Sequence, residues 1–352
     1  MNRTVVRDVE AVVSDPVIAS SAGALAGQTV LVAGAGGLIA RHTAFALAEL
    51  SAAADLGIEV VCLVRDLAKA EHSYAAHPRR GDIALLQQDL GEPLHYLGRA
   101  DVILHAGGAS SPKAYAADPY GVAAANVKAV FDLVGLARHG GSRRIAYFSS
   151  REVYGTAAAP LTEDVPGVFD HLSPRNSYPE AKRMTESVLA AASAQFGIGF
   201  QSYRLASVYG PGMRLAGDGR AMADLVGARL AGSDLVLASD GSAVRGYCYV
   251  TDAVRGILTA LLAGADDTVY NIANETEPVS IRALADLLAT LPVAGHTRVP
   301  EVVLGPATTP SGYSTFGYVP VSTARLEALG WLPRVSLREG LVSTLESFGD
   351  DR

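Results

Sequence analysis

The chain has little of what specialised chemistries need. Two cysteines, Cys62 and Cys248, stand in 352 residues. That excludes a disulfide framework and a zinc site built on thiolates. Both lie in apolar runs and are expected to be small core residues. The eight histidines fall at no metal-ligand spacing, so no metal site is expected. One tryptophan and eight phenylalanines leave the core to Ala, Val and Leu. The net charge is −7 and no long basic run occurs, which argues against a nucleic-acid partner. No apolar run approaches the ~20 residues of a membrane-crossing helix. The N-terminus carries Arg3, Arg7, Asp8 and Glu10 where a signal peptide needs an apolar stretch. A cytoplasmic protein without a membrane partner is the expectation.

What the chain does have is a rhythm. Residues 1–26 form an N-terminal extension, with a short helix over Val5–Val13 and a linker over Ser20–Gly27. Short apolar runs then alternate with helical stretches. Thr29–Ala33, Ile58–Val64, Ile83–Gln87, Val102–His105, Ile145–Ser149 and Phe200–Leu205 are expected to be strands. Their continuous apolar character suits strands buried on both faces. Helices are expected at Ile39–Leu50, Val122–Ala137 and Tyr178–Phe196. This alternation means βαβ units and an α/β fold with a doubly wound parallel sheet. The rhythm breaks after Gly210. Residues 27–210 are expected to form a dinucleotide-binding domain to which 247–273 returns. Residues 211–246 and 274–352 are expected to form a smaller C-terminal substrate-binding subdomain, with helices at Met222–Leu230, Ile281–Leu291, Thr323–Leu329 and Leu337–Phe348.

The first strand runs into Gly34-Ala35-Gly36-Gly37-Leu38-Ile39-Ala40. Glycines let the backbone turn sharply and approach a pyrophosphate, which rests on the following helix N-terminus. The preceding strand and following helix are the context that gives such a loop meaning, and they mark a Rossmann-type site. Gly34, Gly36, Gly37, Leu38 and Ile39 are therefore cofactor-binding candidates. At the end of the second strand, Val64 holds the place of the usual ribose-binding acid and Arg65 follows it. An arginine there can accept a 2′-phosphate or stack on adenine, and Asp66 could still reach a ribose, so both NAD and NADP stay open. Asp89 and Leu90 are placed to meet the adenine, although Asp89 serves a turn cap equally well. His105, with Ala106 after it, ends the fourth strand beside the cofactor.

Ser177 and Glu180 have the spacing of a capping box, and Tyr178 and Lys182 share one helix face at i and i+4. A phenol near pKa ~10 is a poor base at neutral pH, and a neighbouring ammonium improves it. The fifth strand ends in Ser149-Ser150-Arg151-Glu152-Val153-Tyr154-Gly155. Ligands of open α/β sheets bind at such strand ends. Ser150 there could hold a reacting oxygen, and Glu152 could move a proton if burial raises its pKa. A salt-bridged turn residue is the plainer alternative for Glu152.

The GAGGLIA loop, SSREVYG strand end, YPEAK helix, RLASVYGP strand and RGYCYVTD segment together resemble the extended short-chain dehydrogenase/reductase family, over about residues 27–348. Its members act on nucleotide-diphosphate sugars as epimerases, 4,6-dehydratases and decarboxylases. The resemblance implies transient oxidation of carbon 4 of a bound hexose by NAD, with NADP as the alternative. Tyr178 becomes the base, Lys182 its partner, and Ser150 and Glu152 the other catalytic groups. Asn126 becomes a helix residue that orders the site, and Arg245 a phosphate ligand. Ser111-Pro112-Lys113-Ala114-Tyr115, and Tyr209 to Met213 followed by Asp218-Gly219-Arg220, are similar to substrate-side segments of the decarboxylases. Ser111, Lys113, Arg151, Ser207 and Arg220 are accordingly substrate-binding candidates. Arg151 departs from the family, where dehydratases have Asp and decarboxylases Ser. Ser207 replaces an Asn, and Gly212 replaces an Arg. Tyr313 and Tyr318 are candidates to touch the nucleotide base, with core or rim packing as the equal alternative. A homodimer through helices 122–137 and 178–196 is implied by resemblance alone. The alternatives are an NADP-dependent net reductase acting through Arg65, and a non-catalytic dinucleotide-sensing regulator.

Overall fold

The computed structural model describes residues 1–108, 111–158, 160–215, 219–305 and 317–349. Six strands follow in chain order: β1 (Thr29–Ala33), β2 (Glu59–Val64), β3 (Ile83–Gln87), β4 (Val102–His105), β5 (Arg144–Ser150) and β6 (Gly199–Leu205). With a seventh, Thr268–Ile272, they form one parallel sheet in the order Thr268–Ile272, β6, β5, β4, β1, β2, β3. The reversal of order between β1 and β4 is the switch point at which doubly wound sheets bind ligands. There Ala33 pairs with His105, so the glycine loop after β1 lies beside the backbone after β4.

Helices Leu38–Ala53, Pro119–Gly140, Ser177–Phe196 and Val250–Ala263 cover the sheet. Helix Pro119–Gly140, contrary to the expectation from apolar runs, is long and apolar enough to cross a membrane by length and composition. Its Val130, Leu133, Val134 and Ala137 are instead buried in the core with Leu31, Ile145 and Tyr147. Cys62 and Cys248 are both free and buried, as expected.

The extension differs most from the reading of the sequence. Ser20–Gly27 is not a linker: helix Pro16–Ser21 runs into a 3-10 turn at Ala22–Leu25, and Ala22 and Leu25 are buried. The local cause is Asp15, whose side chain accepts from the Val17 and Ile18 amides while Pro16 pre-sets the first turn. Helix Arg3–Val13 presents Val5, Val9 and Val12 to the core on one face. Asn2 donates to the Ser347 carbonyl at 2.7 Å, and Tyr249 donates to Asp8.

A buried ion cluster fastens this extension. Arg255 donates to Asp15 Oδ2 through Nε and Nη2 at 3.1 and 2.8 Å, and to Asp252 Oδ1 at 2.9 Å. Asp252 Oδ2 also accepts the Arg334 and Val335 amides. Arg255, Asp15 and Asp252 are almost fully buried, while the more exposed Arg334 also reaches Asp15 Oδ2 at 2.8 Å, so Asp252 is the carboxylate that relies on Arg255. Removing one partner from such a pair leaves an unpaired buried charge at a cost of about 3–5 kcal/mol. Arg255→Ala is expected to lower stability by that amount in urea unfolding. Arg255→Lys is expected to recover only part, because one ammonium cannot reproduce the fork.

Candidate functional site

The cofactor side of the site is shaped by missing side chains. Gly34 has φ +86°, and a Cβ on it would fall 2.4 Å from the Gly107 Cα. Only glycine allows the loop to lie this close to the end of β4. Nothing lies within 4 Å of a Cβ built on Gly36. Helix Leu38–Ala53 then starts at Gly37 without a side-chain cap, so no side chain competes for its first amides.

Several buried polar atoms near this loop have no protein partner. They include Nδ1 and Nε2 of His105, Oδ1 of Asn126 and the hydroxyl of Ser149. Asn126 Nδ2 is held by the Val122 carbonyl at 2.8 Å, and its Oδ1 faces Gly108, where a Cβ would fall 2.1 Å away. Buried polar groups are normally satisfied, so such a group calls for a ligand. The glycine cradle and these atoms fit a bound dinucleotide. Leu90 packs against Gly107 in the same region. His105 is buried against the Tyr147 ring, and burial, then the charge of Lys182, lowers its pKa to about 3.

The rim is more ordinary than the sequence suggested. Asp66 caps helix Leu67–Tyr74 by accepting from the Lys69 amide, and Asp89 caps a turn by accepting from Gly91. Arg65 is exposed. Ser111 caps helix Pro112–Ala117 through the Ala114 amide, and Lys113 is exposed. Tyr318 donates to Glu275 Oε2 at 2.8 Å. Asp218 and Tyr313 lie outside the described residues.

The chemical centre forms where β5 meets helix Ser177–Phe196. Lys182 Nζ donates to the Phe148 carbonyl at 2.9 Å and lies 4.7 Å over the Tyr147 ring. It stands 5.8 Å from the Tyr178 ring centre. Burial lowers its pKa from 10.5 to about 7, with Glu186 opposing. Tyr178 is 5% exposed. Burial and then the charge of Glu152 push its phenol up to about 12, while the Ser150 hydroxyl, Arg220 and Arg175 act in the other direction. Ser150, Tyr178 and Lys182 are therefore brought together, as their spacing suggested.

Two details of that spacing differ. Ser177 and Glu180 form no capping box: a 3-10 turn at Pro174–Asn176 leads directly into the helix, placing Ser177 inside its first turn. Glu152 takes the salt-bridged position that was its plainer alternative. Both its oxygens accept from Arg175, at 3.1 Å through Nη1 and Nη2 to Oε2. Arg175 was missed because nothing in its short turn marks it, although it stands three residues before the tyrosine. The role of Tyr115 was missed as well: its ring stacks on Tyr178 at 5.1 Å.

The substrate side is cationic. Arg151 donates to the Val319 carbonyl at 3.1 Å, and its pKa falls through burial while Glu275 opposes. Arg245 lies close enough to act on Arg151. Arg220 precedes helix Ala221–Leu230 and acts on both Tyr115 and Tyr178. Ser207 has φ +44°, a left-handed backbone that Asn adopts more readily than Ser. Its carbonyl accepts from Cys248.

Comparison with known proteins identifies the family. Residues 30–273 match the NAD dependent epimerase/dehydratase family. UDP-glucuronic acid decarboxylase 5 of Arabidopsis thaliana is 31% identical over 276 residues, which is 78% of this chain and 76% of that protein. UDP-glucuronic acid decarboxylase 1 of Danio rerio is 30% identical over 268 residues, 75% of this chain and 60% of its own. Two solved structures share the fold. A dTDP-glucose 4,6-dehydratase from Streptomyces venezuelae has a TM-score of 0.75 at 24% identity, covering 92% of this chain and 98% of its own. An epimerase from Methanothermobacter thermautotrophicus has a TM-score of 0.81 at 20% identity, covering 96% of each. The chain thus belongs to the NAD-dependent epimerase/dehydratase family, whose cofactor is NAD.

Proposed function

We propose that the protein oxidises carbon 4 of a nucleotide-diphosphate hexuronate and thereby releases its carboxylate as carbon dioxide. The observation that carries this reading is the convergence of Tyr178, Ser150 and Lys182 in one buried patch at the tip of β5. Tyr178 Oη takes the proton of the carbon-4 hydroxyl, Ser150 steadies that oxygen, and the Lys182 ammonium stabilises the phenolate. NAD, when bound, supplies the hydride acceptor and returns the hydride. The backbone of Gly34–Ile39, with Asn126, Tyr178 and Lys182, would hold it.

The step after oxidation is chosen on chemical grounds. A 4-keto group lies β to a carbon-6 carboxylate, so the electron pair of the C5–C6 bond can pass into the ketone as carbon dioxide departs, and the enolate so formed takes a proton from water at carbon 5 before the hydride returns to carbon 4. This route needs no base to remove the carbon-5 proton. An elimination does need one, and Glu152, the carboxylate on that side, is engaged by Arg175. The Arabidopsis and Danio relatives carry the name of this reaction. Arg151, Arg220 and Arg245 supply positive charge for a diphosphate and a carboxylate. Exposed Tyr120, Phe131 and Met184 on helices Pro119–Gly140 and Ser177–Phe196 support pairing of two copies through those helices.

Incubation with NAD and UDP-glucuronic acid is expected to give a UDP-pentose and carbon dioxide without net NADH, read by mass spectrometry. A product of unchanged mass, or a 4-keto-6-deoxy sugar when UDP-glucose is supplied in place of the uronate, overturns the decarboxylation but keeps the oxidation. Steady NADH or NADPH consumption instead marks a net reductase. Tyr178→Phe is expected to lower kcat by about 10²–10⁴-fold while NAD binding persists.

The buried lysine has a separate signature in stability. Its ammonium titrates near 10.5 when solvated and near 7 in the fold. Between these values the unfolded chain binds the extra proton, so stability rises with pH there. Below pH 7 both states hold the proton, and the full cost of the buried charge is present. Lys182→Met is therefore expected to raise Tm below pH 7. In thermal scans that advantage should shrink as pH approaches the solvated value.

A further inference from the structure

We propose that Arg175 and Tyr115 are positioning residues for Tyr178: Tyr115 clamps the tyrosine ring from its outer face, and Arg175 neutralises Glu152 so that its charge does not oppose a phenolate. The inference rests on the role proposed for Tyr178 above.

Three contacts make the arrangement. The Arg175 guanidinium lies 4.6 Å over the Tyr115 ring. The Tyr115 ring stacks on Tyr178 with centroids 5.1 Å apart and planes 21° from parallel. Lys182 Nζ stands over Tyr178 at 5.8 Å. Tyr115 is 2% exposed, and Val122 completes the apolar cluster around both rings. Such ring pairs contribute about 0.5–1.5 kcal/mol beyond buried area and fix orientation. Tyr115 thereby limits the rotation that would carry the phenol off the strand tip.

Arg175 acts at a second point. Its two terminal nitrogens grip Glu152 at 3.1 Å, while Glu152 lies near enough to both tyrosines to disfavour their ionisation. The groups facing Tyr178 come from five elements. They are Ser150 and Tyr147 on β5, Glu152 on the turn after it, Arg175 on the turn before the helix, Tyr115 on helix Pro112–Ala117, and Arg220 before helix Ala221–Leu230. Lys182 is the cation on the tyrosine's own helix. Removal of Arg175 leaves the charge of Glu152 unbalanced and disfavours the phenolate. Removal of Glu152 has the opposite sign, and removal of both returns the balance.

The test uses NAD-loaded protein labelled at tyrosine Cζ, with Tyr178→Phe to assign the resonance, and follows its shift against pH by NMR. Arg175→Met is expected to move the Tyr178 titration to higher pH and Glu152→Gln to lower pH. The double variant should return it close to wild type. In turnover the rising limb of kcat for Arg175→Met should move with it, at about tenfold loss per pH unit at fixed pH. Tyr115→Phe should retain kcat and Tyr115→Ala should lower it, with KM little changed in both. An unmoved Tyr178 titration in Arg175→Met overturns the electrostatic role, and equal kcat in the two Tyr115 variants overturns the clamp. The NMR arm needs no substrate. A normal set of shifts with no turnover of any nucleotide sugar would therefore count against the proposed reaction and not against this pairing.

Discussion

Everything at the site depends on one ammonium held away from water. Lys182 Nζ donates to the Phe148 carbonyl, which ties helix Ser177–Phe196 to the end of β5. That bond sets Tyr178 beside Ser150, and the ring faces of Tyr147 and Tyr178 offset part of the lost hydration. A charge so placed is costly to the fold and useful to the chemistry. Proteins keep such groups where function requires them, and the surrounding core bears the cost.

The second constraint is backbone contact at the switch point. Parallel pairing of β1 with β4 brings the two loops that follow them together, and only a missing Cβ at Gly34 permits it. The orphaned atoms of His105, Asn126 and Ser149 lie at that end of the sheet. The sheet's register, the glycine and the unpartnered polar groups thus describe one site from three directions.

The sheet was legible because its strands are short, continuously apolar runs, and β3 and β4 begin and end where the pattern does. Tyr178, Lys182 and Ser150 were legible because helix period and strand end are local properties. What escaped was non-local. Arg175 gains meaning only from Glu152, 23 residues earlier, and Tyr115 only from a ring in another helix. The segment 20–27 looked like a linker because it is rich in Ser, Ala and Gly. Its order comes from Asp15, which is held by Arg255 some 240 positions away. The misread capping box has a similar origin, since Ser and Glu at that spacing cannot reveal a 3-10 turn leading into the helix.

The extension also bears on how the chain folds. Helix Arg3–Val13 packs on the nearby helix Leu38–Ala53, and also on helices Val250–Ala263 and Leu337–Ser347, far along the chain. Until those distant helices dock, its row of valines has only part of its partner surface. Loop closure over such distances is slow, and exposed apolar faces invite association while they wait. A refolding chain therefore carries part of this stripe uncovered until its longest loops close, and that face is where misassociation between copies would begin.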